Sequence, residues 1–168
     1  MKRALAACSF LLAGGAFAGV ADASRARCAL PEEMNAVQTA AIQQQLMVAA
    51  LTCNEVARFN AFQSGFGPEL RLSDARLAQM FHRLYGPRRG DAAYHAFKTR
   101  LANQSSMRSI RNHPVYCQEA GAMLDAALTA DRHPALVTFV GATNVSMDEP
   151  PAHLCTVQVA RHRRPRHR

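Results

Sequence analysis

The sequence has no tryptophan, and aromatic residues make up only 7% of its 168 positions. Lysine occurs only at Lys2 and Lys98, so arginine supplies almost all of the positive charge. There is no G-x-S-x-G elbow, no H-E-x-x-H, no phosphate-cradling glycine loop and no calcium-binding carboxylate run. These gaps exclude enzymes and sensors built on a local motif and leave only sites assembled from scattered residues. Nothing in the chain calls for a cofactor or a metal. After about residue 21 no stretch is long and apolar enough to cross a membrane.

What is present is a formal charge of +8 and a pI of about 9.9. That total suggests a polyanionic partner until its distribution is read. Residues 161–168 contain Arg161, Arg163, Arg164, Arg166 and Arg168 and no acid. Residues 24–160 contain thirteen basic and eleven acidic side chains, a net of +2. The body is nearly neutral, and the basicity belongs to the ends. No specific nucleic-acid partner follows, because the tail has no aromatic residue on which a base could stack.

Met1-Lys2-Arg3 precedes an apolar run from Ala4 to Ala21, which reads as a secretory signal peptide. Cleavage fits before Gly19 or before Ser24; the second leaves a polar start, Ser24-Arg25-Ala26-Arg27, and is preferred. A retained anchor is the rival reading, but the run is rich in Ala and Gly rather than Leu and Ile. Leu5-Ala6-Ala7-Cys8 has the form of a lipobox, with too few residues before it for lipidation. The expected organisation is a signal peptide over 1–23, a helical domain over 24–160 and a disordered basic tail over 161–168.

Four cysteines remain after cleavage: Cys28, Cys53, Cys117 and Cys155. An even number in an exported chain reads as two disulfides. Zinc is disfavoured because no two of them form a close pair; the gaps are 25, 64 and 38 residues. A coarse helix map ranks the three possible pairings. Pro31-Glu32-Glu33 suits a helix start, and apolar residues at helical spacing continue from Met34 to about Phe59. Cys53 would then lie roughly 30 Å along that helix, beyond the reach of Cys28. Ser73 is read as the N-cap of a second helix, which Gly86-Pro87 stops. Asp91 is read as the N-cap of a third, weakened at Asn103-Gln104-Ser105-Ser106. Pro114 opens a fourth, and Pro134 a short fifth over Ala135 to Val140. From Gly141 to Ala160 the chain reads as irregular or extended. The expected fold is all-α, a bundle of four to five helices. Up-and-down alternation puts Cys53 beside Cys117 and leaves Cys28 for Cys155.

The best polar constellation lies on the third helix: Asp91, Tyr94, His95, Lys98 and Arg100. Asp91 and His95 are one turn apart, so the carboxylate could orient the imidazole, and Arg108 and Arg111 could add charge for an anionic ligand. The plainer reading makes Asp91 a cap, Tyr94 a core residue and Lys98 and Arg100 a solvated face, and it is favoured. His82 and His113 read as surface or loop residues.

Two stretches are distinctive together: Gln38 to Asn54, and Tyr94 to Asn103 with Tyr116-Cys117 after it. In these the chain resembles an uncharacterised group of small exported four-cysteine helical proteins, mostly from alphaproteobacteria, over about residues 36–117. The resemblance implies a bacterial exported protein and implies no activity or functional residue. The expected function is a non-enzymatic helical protein of the periplasm or cell exterior, with a tail that binds anionic envelope material. The alternative is a small periplasmic hydrolase-like enzyme centred on Asp91, His95 and Lys98.

Overall fold

The computed structural model describes residues 28–129 and 135–155. The signal segment and the basic tail lie outside these residues, as does Pro134. Six helices follow in order: α1 (Pro31–Thr52), α2 (Val56–Gly65), α3 (Gly67–Tyr85), α4 (Gly90–Arg111), α5 (His113–Leu128) and α6 (Leu136–Ala142). Among the described residues there is no strand, only an isolated parallel bridge between Ala29 and Leu154. The fold is all-α.

The start of α1 follows its sequence cues. Pro31 occupies the first turn, and the Glu33 carboxylate accepts the Leu30 N–H at 2.8 Å. The helix stops at Thr52 rather than continuing to Phe59. Asn54 adopts φ 60°, a left-handed conformation that asparagine tolerates better than most side chains. Two helices therefore replace the one expected. The apolar spacing resumes at Val56 and conceals the break.

Helix α3 begins at Gly67, with Pro68 in its first turn, so Ser73 is an interior residue and not a cap. Gly86, at φ 79°, ends the helix. Gly90 then brings α4 hard against it: a Cβ there would sit 2.8 Å from His82 Cα. Asp91 is inside the first turn of α4, and the N-cap position belongs to Arg89. The Asn103-Gln104-Ser105-Ser106 run stays helical, and its buried member, Ser105, finds a partner off the helix. Ser105 Oγ lies 2.6 Å from Tyr116 Oη, and that hydroxyl also donates to the Gln45 carbonyl at 2.8 Å. Asn112 caps α5 by accepting the Val115 N–H at 3.4 Å.

Helix α1 is the spine and packs against each of the other five. Its buried residues point in every direction and include Val37, Ala40, Ile42, Leu46 and Ala49. Alanines along it let the neighbouring helices approach closely. One core cluster joins its first half to Leu77, Met80, Phe81, Phe97 and Leu101. The other joins its second half to Phe62, Phe66, Tyr116, Leu124 and Phe139. The phenylalanines do much of the filling, each contributing about 2–3 kcal/mol through burial.

Disulfides close both ends of the spine. Cys28 pairs with Cys155 and Cys53 with Cys117, with Cα separations of 5.0 and 5.5 Å. This is the pairing expected from up-and-down topology. No described helix is long and apolar enough to cross a membrane.

Candidate functional site

Between α3 and α4, with α1 and α2 as its flank, runs an open groove of about 550 Å³. Its wall includes Asp91, Tyr94, His95 and Lys98, so four of the five candidate residues share one concavity. Arg100 is not among its lining residues; its guanidinium lies 5.8 Å from the Phe97 ring centre.

The groove is organised by a residue that sequence reading passed over, Asp74 of α3. The Tyr94 hydroxyl donates to its carboxylate at 2.7 and 2.8 Å, and Lys98 Nζ donates at 2.8 Å. Lys98 also donates to the Tyr94 oxygen at 3.1 Å. Tyr94 and Lys98 are one turn apart on α4, and such a pair of donors needs an acceptor opposite. That spacing was the available signal. With Ser73 expected as a helix cap, nothing in the sequence marked Asp74 as that acceptor.

The titration behaviour of this knot opposes nucleophilic chemistry. Partial burial acts to raise the Asp74 carboxyl, but hydrogen bonds from Lys98 and Tyr94 outweigh it and hold the group below its ordinary value. Burial acts to lower Lys98, but its bonds to Asp74 and Tyr94 hold it above the usual lysine range. Burial pushes the Tyr94 phenol up. A nucleophilic amine or phenolate needs the opposite shifts. The knot is a clasp between two helices.

The expected Asp91–His95 pairing does not form. Asp91 Oδ1 instead lies 2.9 Å from His82 Nε2, and that carboxylate is 75% exposed. The two helices meet at Gly90, which delivers Asp91 to α3 and turns it from the next turn of its own helix. His95 is exposed, its ring edge-on to Tyr94 at 4.9 Å. Arg108 does not join this groove either. It donates to Gln45 Oε1 at 2.6 Å in a second cleft of about 780 Å³, walled by Met123, Ala126 and Asn144. Arg111 is exposed at the end of α4. Among the described residues no serine, threonine or cysteine bonds to the His82 ring.

The other polar assembly surrounds the Cys28–Cys155 joint. Arg83 donates through Nε to Glu33 at 3.0 Å and through Nη2 to the same carboxylate and to the Cys28 carbonyl. The Ala29 N–H bonds to the His153 carbonyl, and the Cys155 N–H to the Ala29 carbonyl, each at 2.8 Å. The chain thus leaves this joint in both directions from one covalently fixed point. Arg25, Arg27 and the tail arginines all lie outside the described residues.

No protein-family model, curated protein or solved structure matches the chain.

Proposed function

We propose that this is an exported bacterial envelope protein whose disulfide-stapled bundle presents basic chain ends to an anionic, phosphate-bearing lipid surface. The Cys28–Cys155 joint carries the reading. Arg27 immediately precedes Cys28, and Arg161 follows Cys155 by six residues, a reach of at most about 21 Å. With cleavage before Ser24, Arg25 and Arg27 and the five tail arginines, Arg161, Arg163, Arg164, Arg166 and Arg168, are all tethered to this one crosslink. Each arginine near an anionic membrane contributes about 1 kcal/mol, so the five of the tail correspond to binding at about 200 µM and all seven to about 7 µM. Two disulfides suit an oxidising compartment, and the opposed titration shifts in the groove weigh against the hydrolase alternative.

The test is sedimentation of the mature protein with phosphatidylglycerol-containing vesicles across a salt series. Deleting residues 161–168 should abolish the salt-sensitive binding, and Arg25→Gln with Arg27→Gln should weaken it by roughly 30-fold, about 2 kcal/mol. Unchanged binding of the tail-deleted protein at low salt would overturn the reading.

A further inference from the structure

The cleft beside Arg108, of about 780 Å³, is walled by residues of α1, α4 and α5 and by the chain from Ala142 to Ser146. Gln45 lines it although only 1% exposed. Its place is fixed twice: the Tyr116 hydroxyl donates to its carbonyl at 2.8 Å, and Arg108 donates to its Oε1 at 2.6 Å. A guanidinium can only donate, so the atom it meets is the amide oxygen. The amide nitrogen is left without an acceptor among the described residues. A buried donor in that state is rare and calls for an acceptor from outside the fold. Two opposite charges line the same cleft without pairing. Arg108 lies 6.0 Å from the Tyr116 ring centre, and Glu119 follows Tyr116 by one turn of α5. Burial raises the Tyr116 phenol, and Arg108 acts to lower it and Glu119 to raise it, so both charges stand near that ring. Glu119 is exposed and has no hydrogen bond or ion pair among the described residues. Ala122, Met123 and Ala126 continue the wall along α5. Val145 anchors the segment after α6 by packing against both core clusters, so the cleft is formed before any ligand arrives.

We propose that this cleft binds a free α-amino acid with an apolar side chain. Such a molecule carries its carboxylate and its ammonium on one carbon, with the apolar part leading away from both. It therefore needs a cation and an anion close together at one end of a site and an apolar surface beyond them. The residues come in that order: Arg108 and Glu119 near Tyr116, then Ala122, Met123 and Ala126 within the next two turns of α5. The ligand carboxylate accepts from the Arg108 guanidinium, which has further N–H groups beyond the one bonded to Gln45, and from the Gln45 amide nitrogen. The ligand ammonium donates to Glu119. The apolar side chain lies against Met123, whose flexible thioether adapts to more than one shape. A plain carboxylic acid would bring its charge beside Glu119 with no ammonium to offset the repulsion. A plain amine would leave the Arg108 and Gln45 donors unserved.

The experiment is isothermal titration calorimetry on the full mature, oxidised chain, with L-leucine as the probe. Glycine, isocaproate and isoamylamine serve as partial ligands that lack, in turn, the apolar side chain, the ammonium and the carboxylate. The expected result is saturable binding of one leucine per chain, with each partial ligand weaker by at least about tenfold. Arg108→Met should abolish leucine binding, with far-UV circular dichroism to confirm that the helices persist. Glu119 is exposed and unpaired, so Glu119→Gln keeps the fold and tests the site without that concern. It should weaken leucine by at least about tenfold and leave isocaproate no weaker than before. No saturable binding of leucine, a partial ligand that binds as tightly as leucine, or unchanged leucine affinity in Glu119→Gln would each overturn the proposal.

Discussion

The two ends of α1 are each closed by a disulfide but are built differently. At the Cys28 end, backbone hydrogen bonds pair Ala29 with residues 153 and 155, and the Arg83 guanidinium bridges Glu33 and the Cys28 carbonyl. At the Cys53 end the helix terminus is left with an exposed imidazole, and Leu51 and Ile110 are 79% and 74% exposed. The first crosslink sits inside a polar joint. At the second, Arg58 pairs with Glu55 and Asp125 and donates to the Gly121 carbonyl, and His113 stands beside the disulfide. The first crosslink ties a segment without helix to the bundle, whereas the second joins two helices.

Removing either disulfide is the strongest way to break that comparison. Chain entropy alone assigns about 4.3 kcal/mol to the 64-residue separation and about 4.9 kcal/mol to the 127-residue one. Denaturant unfolding should therefore rank Cys53→Ser/Cys117→Ser and Cys28→Ser/Cys155→Ser within about 1 kcal/mol of each other. The local response should differ. Hydrogen exchange should speed at the Ala29 and residue-155 amides only in the second variant, because that pair ties down a segment without helix. A variant costing under about 2 kcal/mol would show that its end is held by the surrounding contacts and not by the crosslink.

Arg83→Met tests the polar joint directly. The Glu33 side chain is only 12% exposed, so removing the guanidinium takes the counter-ion from a largely buried carboxylate. Unfolding should become easier by about 2–4 kcal/mol, and adding Glu33→Gln should recover part of that loss. A cost within about 0.5 kcal/mol of zero would make the joint no stronger than the Cys53 end.

The same contrast explains what the sequence could disclose. Helix starts at Pro31 and Pro114, the stop at Gly86 and the cysteine pairing follow from local chemistry and chain reach. The break at Asn54 does not, because the apolar spacing is the same on both sides and only the left-handed backbone reveals it. Asp74 was concealed for another reason: its partners are 20 and 24 residues away on a different helix. His113 and Cys117, by contrast, carried their one-turn spacing openly. Segregation of charge into the tail was fully legible, since net charge needs no fold.

Midway between the two ends, Asp74→Asn should cost about 0.5–1 kcal/mol, since its carboxylate is 41% exposed and screened by solvent. The sign with pH follows from the shifts. Asp74 is held below its ordinary value, so its stabilisation is complete above about pH 4–5 and fades as pH falls through the lowered value. Lys98 is held above its ordinary value, so its share is complete below about pH 10 and fades as pH rises through the raised value. The deficit of the variant should be flat between these limits and vanish in acid. A deficit that instead grew below pH 4 would deny the clasp its ionic character.

The smallest expected effect is at the apolar rim of the Cys53 end. Leu51→Gln and Ile110→Gln remove side chains that are mostly in water, so each should shift unfolding by no more than about 0.5 kcal/mol in thermal or denaturant melts. The near-neutral result matters because apolar exposure is lower at the Cys28 end, where Ala29 is fully buried and Leu154 is 51% exposed. Should either substitution cost more than about 1 kcal/mol, these side chains would be covered in solution, and the Cys53 end would be an interface rather than an open terminus.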